Sequence, residues 1–303
     1  MNNINLNLYK TFYEVAKYGS ISKAAQKTYT SQSAISKSIK KLEEELETKL
    51  FHRKLSGVEL TDKGKELFYY VDKSYNNLLI AQRNMMEEEN LKRGNIKIGM
   101  PSNIGSFFLF DKIIDFHKKY PNIEITIITG GTSQLLNLLD SHKIDFVVDS
   151  SPINVDINSD FRIKKLSRVS YCFVARYDTK FLDLSKKIEL KELENIPLIL
   201  PIPGTSNRND LNELLLKEKV KPNNVINIHT SEMILSAVKK DLGIGYVIEN
   251  LVDDETMKNS LKILDVSSTM PYVDINIVYN NHFLTTVPKK FIEDYIDKDL
   301  DFK

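Results

Sequence analysis

Ser31, Gln32, Ser33, Ser36, Lys37 and Lys40 crowd into one short stretch, SQSAISKSIK. Hydroxyls at Ser31, Ser33 and Ser36, set in the first turns of a helix, suit phosphates, because exposed N–H groups there already favour an anion. The amide of Gln32 offers a donor beside an acceptor, the pattern that pairs with N7 and N6 of adenine. Lys37 and Lys40 supply positive charge for the phosphate backbone. Arg53, further along the chain, is placed to reach a phosphate or the minor groove. Any one of these residues alone reads as solvated surface. The set at this spacing points to double-stranded DNA.

A second group is built on helix starts. Ser102-Asn103, Gly131-Thr132-Ser133 and Gly204-Thr205-Ser206-Asn207 each precede a helical run, and Ser231 opens a fourth. Such starts leave amides and hydroxyls available to a carboxylate or other anion. Plain N-capping is the competing reading, and at Ser231 the two stand level. Arg208 would pair with an acidic ligand or lie solvated.

The elements that must hold these groups follow from periodicity. Leu8, Phe12, Val15 and Ala16 recur at helical spacing and end at Gly19. Ile21–Lys27 is a short helix whose Ala24-Ala25 pair allows close crossing. Ser31 then caps a helix running to about Leu46, with Ile35, Ile39, Leu42 and Leu46 behind and the polar set in front. A helix of this kind after a tight turn is a helix-turn-helix arrangement. Lys49–Arg53 and Val58–Thr61 flank Ser56-Gly57 as a hairpin, or wing. A long helix from Thr61 or Asp62 to about Leu91 follows. Its Phe68, Val71, Tyr75, Leu78, Gln82 and Met85, widened by Leu79 and Met86, form a heptad-like seam for a second copy of the chain, with only the Phe68 end packing at home.

After Arg93-Gly94-Asn95 the pattern becomes alternating strands and helices. Strands are expected at 96–100, 123–129 and 144–149, with helices at 106–120 and 133–142, giving a largely parallel sheet. A second α/β set follows. Its strands are expected near 169–175, 198–200, 225–229, 244–248, 263–266 and 273–279, and its helices near 207–217, 231–241 and 288–298.

Bulk properties narrow the classes. The 303 residues fit two or three domains, and 42% hydrophobic with 27% charged residues is a globular composition. Residues 1–60 hold 10 basic against 6 acidic side chains, net +4, while the remainder holds 32 against 35, net −3. Only the first module is thereby expected to meet phosphate. No apolar run is long enough for a membrane helix, and no export signal is visible, so a cytoplasmic location is expected. The single cysteine, Cys172, lies in an apolar strand-like run and reads as buried filler. The five histidines lack metal-ligand spacing, and no nucleophile elbow or phosphate loop is present, so neither catalysis nor a cofactor or metal is expected. A solute-binding protein of transport would suit the α/β body but not the DNA-binding head or the missing export signal.

Ordered motifs carry a family resemblance. They are Leu8-x3-Phe12-x2-Val15-Ala16, Gly19-Ser20-x3-Ala24-Ala25, Ser31-Gln32-Ser33-Ala34-Ile35-Ser36-Lys37-x-Ile39, Leu42-Glu43-x2-Leu46, Leu50-Phe51-x-Arg53, Leu60-Thr61-x2-Gly64 and Gly94-x-Ile96-x-Ile98-Gly99. In these the chain resembles the LysR-type transcriptional regulators. The resemblance implies an α/β protein with an N-terminal all-α winged helix-turn-helix, a long linker helix and a two-lobed α/β effector domain similar to periplasmic binding proteins. The implied division is 1–61 for DNA binding, 62–93 for linking and dimerisation, and 94–303 for the effector domain. Lobe one would be about 94–162 with 268–303, and lobe two about 163–267. Ser102, Thr132 and the 203–206 loop would border the cleft between them. The implied partners are operator DNA, a small effector, expected to be anionic, and the chain itself as a dimer or tetramer. Ser33 stands where the family often has proline, and Lys37 where arginine is usual. Lys37 therefore keeps the charge but loses the two-pronged grip on guanine.

Overall fold

Glycine decides where the first helix stops. α1 (Leu6–Tyr18) is capped at its start by the Asn5 side chain and ends at Gly19, whose left-handed φ of 60° turns the chain into α2 (Ile21–Lys27). The structure is a computed structural model, and it describes residues 4–54, 57–86, 91, 93–150, 153, 161–252 and 260–298. The apex of the hairpin at Ser56 and the side chain of Met86 lie outside the described residues.

Ser31 caps α3 (Gln32–Glu45) by accepting from the Ala34 amide. Leu8, Phe12, Val15, Ala24, Ala25, Ile35, Ile39, Leu42 and Leu50 form the core of this first unit. β1 (Phe51–Lys54) and β2 (Gly57–Leu60) make the antiparallel wing. The Val58 amide donates to the Gly19 carbonyl at 2.9 Å. A side chain at Gly57 would fall on that same carbonyl, which explains glycine there.

Thr61 then starts α4 (Asp62–Met86), accepting from the Gly64 amide and donating to the Lys49 carbonyl. Phe68 stacks on Tyr13 and also meets Phe12, and Tyr75 packs on Tyr13 as well. The helix is thus held at home two turns beyond Phe68. The expected end of the helix falls on residues 87–90, which lie outside the described residues, and Leu91 itself has a left-handed φ of 51°. The turn Asp140–Lys143 groups with this unit. Lys73 pairs with Asp140 at 2.8 Å, and Lys143 with the buried Asp72 at 2.7 Å.

The second unit is two-lobed α/β, built on a nine-stranded sheet of order β4-β3-β5-β11-β6-β9-β7-β8, with β10 beside β6. One end is β3 (Gly94–Met100), β4 (Ile123–Thr129) and β5 (Phe146–Ser150), mutually parallel through β3. α5 (Ser102–Ile104), a π-helical turn at Gly105–Leu109, α6 (Phe110–Lys119) and α7 (Thr132–Asp140) connect them. The other end is parallel too: β7 (Leu198–Pro201) lies between β8 (Val225–Ile228) and β9 (Ile244–Ile248). α8 (Ser206–Lys217) and α9 (Ser231–Lys239) cross between them.

The parallel pairing expected for the first strand–helix series is met in β3, β4 and β5, whereas the middle of the sheet is antiparallel. β6 (Phe161–Arg176) pairs antiparallel with β11 (Tyr272–Asn280) up to Ser170, then with β9 and β10 (Leu261–Ile263) from Tyr171. β11 also pairs antiparallel with β5. One strand running through both ends, met by a returning strand, requires antiparallel pairing. The first half of β6 lacked an apolar run because Arg162, Lys164, Lys165 and Arg168 leave it largely solvated. A short helix, α10 (Thr286–Phe291), continues as a π-helical turn to Ile296, and Phe291 packs its ring on Phe116 and Phe146.

Candidate nucleic-acid interface and ligand cleft

The apolar back of α3 fixes which side chains it shows. With Ile35, Ile39 and Leu42 buried, Ser31, Gln32, Ser33, Lys37 and Lys40 are exposed and Ser36 is half-buried. The Ser31 hydroxyl is engaged as the cap and lies 3.0 Å from the Ser33 hydroxyl. Gln32 donates from Nε2 to the Ser22 hydroxyl on α2 at 3.2 Å. That bond orients the amide, and its second N–H and its carbonyl remain as an adjacent donor and acceptor. Lys40 makes an exposed i,i+4 pair with Glu44 at 3.5 Å, an interaction weak enough for a phosphate to replace. Arg53 is exposed on the wing strand opposite Val58.

Glu43 is the residue whose role the sequence reading missed. It is buried, and its carboxylate accepts from Lys49 Nζ at 2.6 Å, the Leu50 amide at 2.9 Å and the Phe51 amide at 3.3 Å. Burial alone would raise its pKa, but Lys49 and the two amides outweigh that and hold it below the usual carboxylate value. α3 is thereby tied to the first strand of the wing. The signal was available as an acid within the apolar face of α3.

In the second unit, the expected helix starts differ among themselves. Ser102 is exposed and Asn103 half-buried at the start of α5, which lies against β5. Thr205 turns its hydroxyl onto the Ile202 carbonyl at 2.9 Å, Gly204 adopts a φ of 89°, and Ser206 opens α8 exposed. At α9 the cap is Thr230, which accepts from the Met233 amide, while Ser231 is the first helical residue. Arg208 donates to the Pro201 carbonyl at 2.8 Å, to Asn227 at 2.7 Å and to Asn212 at 3.0 Å. It braces its own end of the sheet.

Thr132, half-buried beside the exposed Ser133, faces a neighbour that was not anticipated. Thr132 lies beside the carboxyl group of Asp149, which is 1% exposed at the end of β5. Burial raises the pKa of Asp149, while Thr132 and Ser150 act in the opposite sense. Tyr171 and Tyr246 stack nearby with centroids 5.2 Å apart, both buried and both shifted upward by burial. After burial, the charges of Asp210 and Asp149 also act to raise the pKa of the Tyr171 hydroxyl. Among the described residues no cluster of three or more His, Cys, Asp or Glu could hold a metal ion.

Comparison with known proteins agrees with this architecture. Residues 6–65 match the family described as bacterial regulatory helix-turn-helix protein, lysR family, and residues 89–295 match the LysR substrate binding domain. The transcriptional regulator SoxR of Arthrobacter sp. (strain TE1826) is 27% identical over 283 residues, covering 93% of each chain. A full-length OxyR variant from Pseudomonas aeruginosa shares the fold with a TM-score of 0.71 at 20% identity, covering 97% of this chain and 95% of that one. CbnR solved in complex with its target DNA shares it with a TM-score of 0.69 at 14% identity, covering 96% and 99%. With both modules matched in order, the chain belongs to the LysR family of DNA-binding transcriptional regulators, which couple a helix-turn-helix to a substrate-binding domain.

Proposed function

We propose that α3 enters the major groove of an operator and that Gln32 reads a base there. Ser31, Ser33, Ser36, Lys37 and Lys40 would contact phosphates, and Arg53 would extend the grip along the wing. The observation that carries this reading is the exposed polar-cationic face of α3 opposite a back formed by the buried Ile35, Ile39 and Leu42. Gln32→Ala should cost roughly 1–3 kcal/mol at the operator and reduce discrimination against random DNA. A specificity ratio unchanged in gel shifts would remove Gln32 from base contact.

Two copies of the head would be paired through α4. Leu78 is 65% and Met85 88% exposed on that helix, and apolar side chains so placed favour burial against a second α4. A small effector, with an anionic group near the exposed starts at Ser102-Asn103 and Gly204–Ser206, would sit between the two ends of the sheet. Its binding would shift them about the β6–β11 crossing and so change the spacing of the heads. The protein would act in the cytoplasm, on DNA and without catalysis. No described helix is long and apolar enough to cross a membrane. Melting temperatures of the full-length protein with candidate metabolites, compared with Thr132→Ala and Ser206→Ala, test the effector site. Equal stabilisation of all three proteins would take both residues out of contact.

A further inference from the structure

A buried carboxylate oxygen without a donor calls for an explanation. Oδ2 of Asp149 is fully enclosed and has no hydrogen-bond partner among the described residues, whereas Oδ1 accepts from the Ser150 amide at 2.6 Å. Position on the strand explains the direction of the side chain. Val147, two residues earlier, packs with Leu135 and Leu139 of α7, so Asp149 emerges on the same face at the level of Thr132, where α7 begins. The buried Tyr246 hydroxyl, on the strand beside Tyr171, is likewise without a partner.

Among the described residues no cation answers this charge. No lysine or arginine is among the groups acting on Asp149, Asp210, Tyr171 or Tyr246. Lys165, facing Asn276 across β11, pairs with Asp274 at 2.7 Å, and Arg208 is spent on Pro201, Asn227 and Asn212. Among the described residues the groups around Asp149 are thus a hydroxyl and two phenols, with no cation to receive an anion. A bound N–H donor carrying positive charge would satisfy Oδ2 and face the electron-rich rings of Tyr171 and Tyr246.

We infer that the effector of this chain carries a protonated amine, received by Asp149 between the start of α7 and the Tyr171–Tyr246 pair. This rests on the reading that an effector binds between the two ends of the sheet, and it changes the class of molecule. A simple carboxylic acid is disfavoured. An amino acid or another amine whose separate anionic group reaches the Ser102 or Ser206 starts fits both sets of groups.

The test is a melting-temperature and calorimetric titration of the full-length protein with amino acids and biogenic amines. Each is set against its deaminated acid of the same carbon skeleton. The expected result is stabilisation by one or more amines and not by their deaminated partners. Asp149→Asn, close in shape, should weaken that binding roughly 10- to 100-fold while leaving affinity for DNA without ligand unchanged. Amine binding retained in Asp149→Asn overturns the inference. Stabilisation by deaminated acids, lost in Ser206→Ala, overturns it while sparing the effector site itself. No response to any amine overturns it as well.

Discussion

Glu43→Ala and Glu43→Gln probe how the wing is held, and the structure sets the size of the effect. The carboxylate accepts three donors, and they are not equivalent. Lys49 is 76% exposed, so its ion pair contributes little, on the order of 0–1 kcal/mol. Leu50 is 1% exposed, so its amide would be stranded in the core without Glu43. Charge-assisted bonds to buried donors are worth about 1.5–3 kcal/mol each, and the Phe51 bond at 3.3 Å is the longer of the two backbone bonds. Glu43→Ala should therefore cost about 2–4 kcal/mol of local stability. Glu43→Gln keeps an acceptor but loses the charge and turns an NH2 towards Lys49, for about 1–2 kcal/mol. Because the folded-state pKa is depressed, this stabilisation is present above the unfolded carboxylate value and disappears as pH falls through the folded one. The gap between wild type and Glu43→Gln should close in acid. Native-state hydrogen exchange at the amides of Leu50, Phe51 and Leu60 reads the effect directly. Affinity for random DNA should fall with it as the wing loosens. Unchanged protection of those amides in Glu43→Ala would refute the reasoning.

Arg53→Ala should weaken binding to operator and random DNA alike and flatten the salt dependence by about one phosphate contact. An unaltered slope would take Arg53 off the backbone. Leu78→Glu with Met85→Glu should shift the protein towards monomer in sedimentation velocity, and an unchanged oligomer would move the interface off this face of α4. His142 is buried and held neutral, its pKa pushed down to about 4 by burial and by the charge of Lys73. A depressed histidine loses its contribution as pH falls from about 6.5 towards 4, by up to about 3 kcal/mol. Urea titrations at pH 7 and pH 4.5 should show that loss reduced in His142→Gln, and an equal loss in both proteins would contradict it.

Most of the first unit was legible because its periodicities are local. α2 runs Ile21–Lys27 as expected, Gly19 is the left-handed cap, and Ser31 caps α3. β4 and β9 match their expected bounds because both are β-branched-rich runs bounded by turn residues, β9 buried throughout and β4 carrying Glu124 and Thr126 between its isoleucines. What failed depended on tertiary context. The charged half of β6 is a strand because β11 pairs with it, and nothing in its own pattern says so. For Arg208 the pattern left ligand pairing and solvation open, and only the fold supplies its three acceptors. The roles of Glu43 and Asp149 are illegible for one reason: both are acids inside apolar patterns, and only the fold shows what surrounds their carboxyl groups.

Footprinting of the full-length protein on its cognate DNA tests the central claim most directly. Paired α3 helices predict two protected half-sites whose centres are separated by a whole number of helical turns, with protection lost at the half-site bases in Gln32→Ala. Addition of the effector should alter the spacing or extent of protection between them. A single uninterrupted footprint, indifferent to Gln32, would contradict the account.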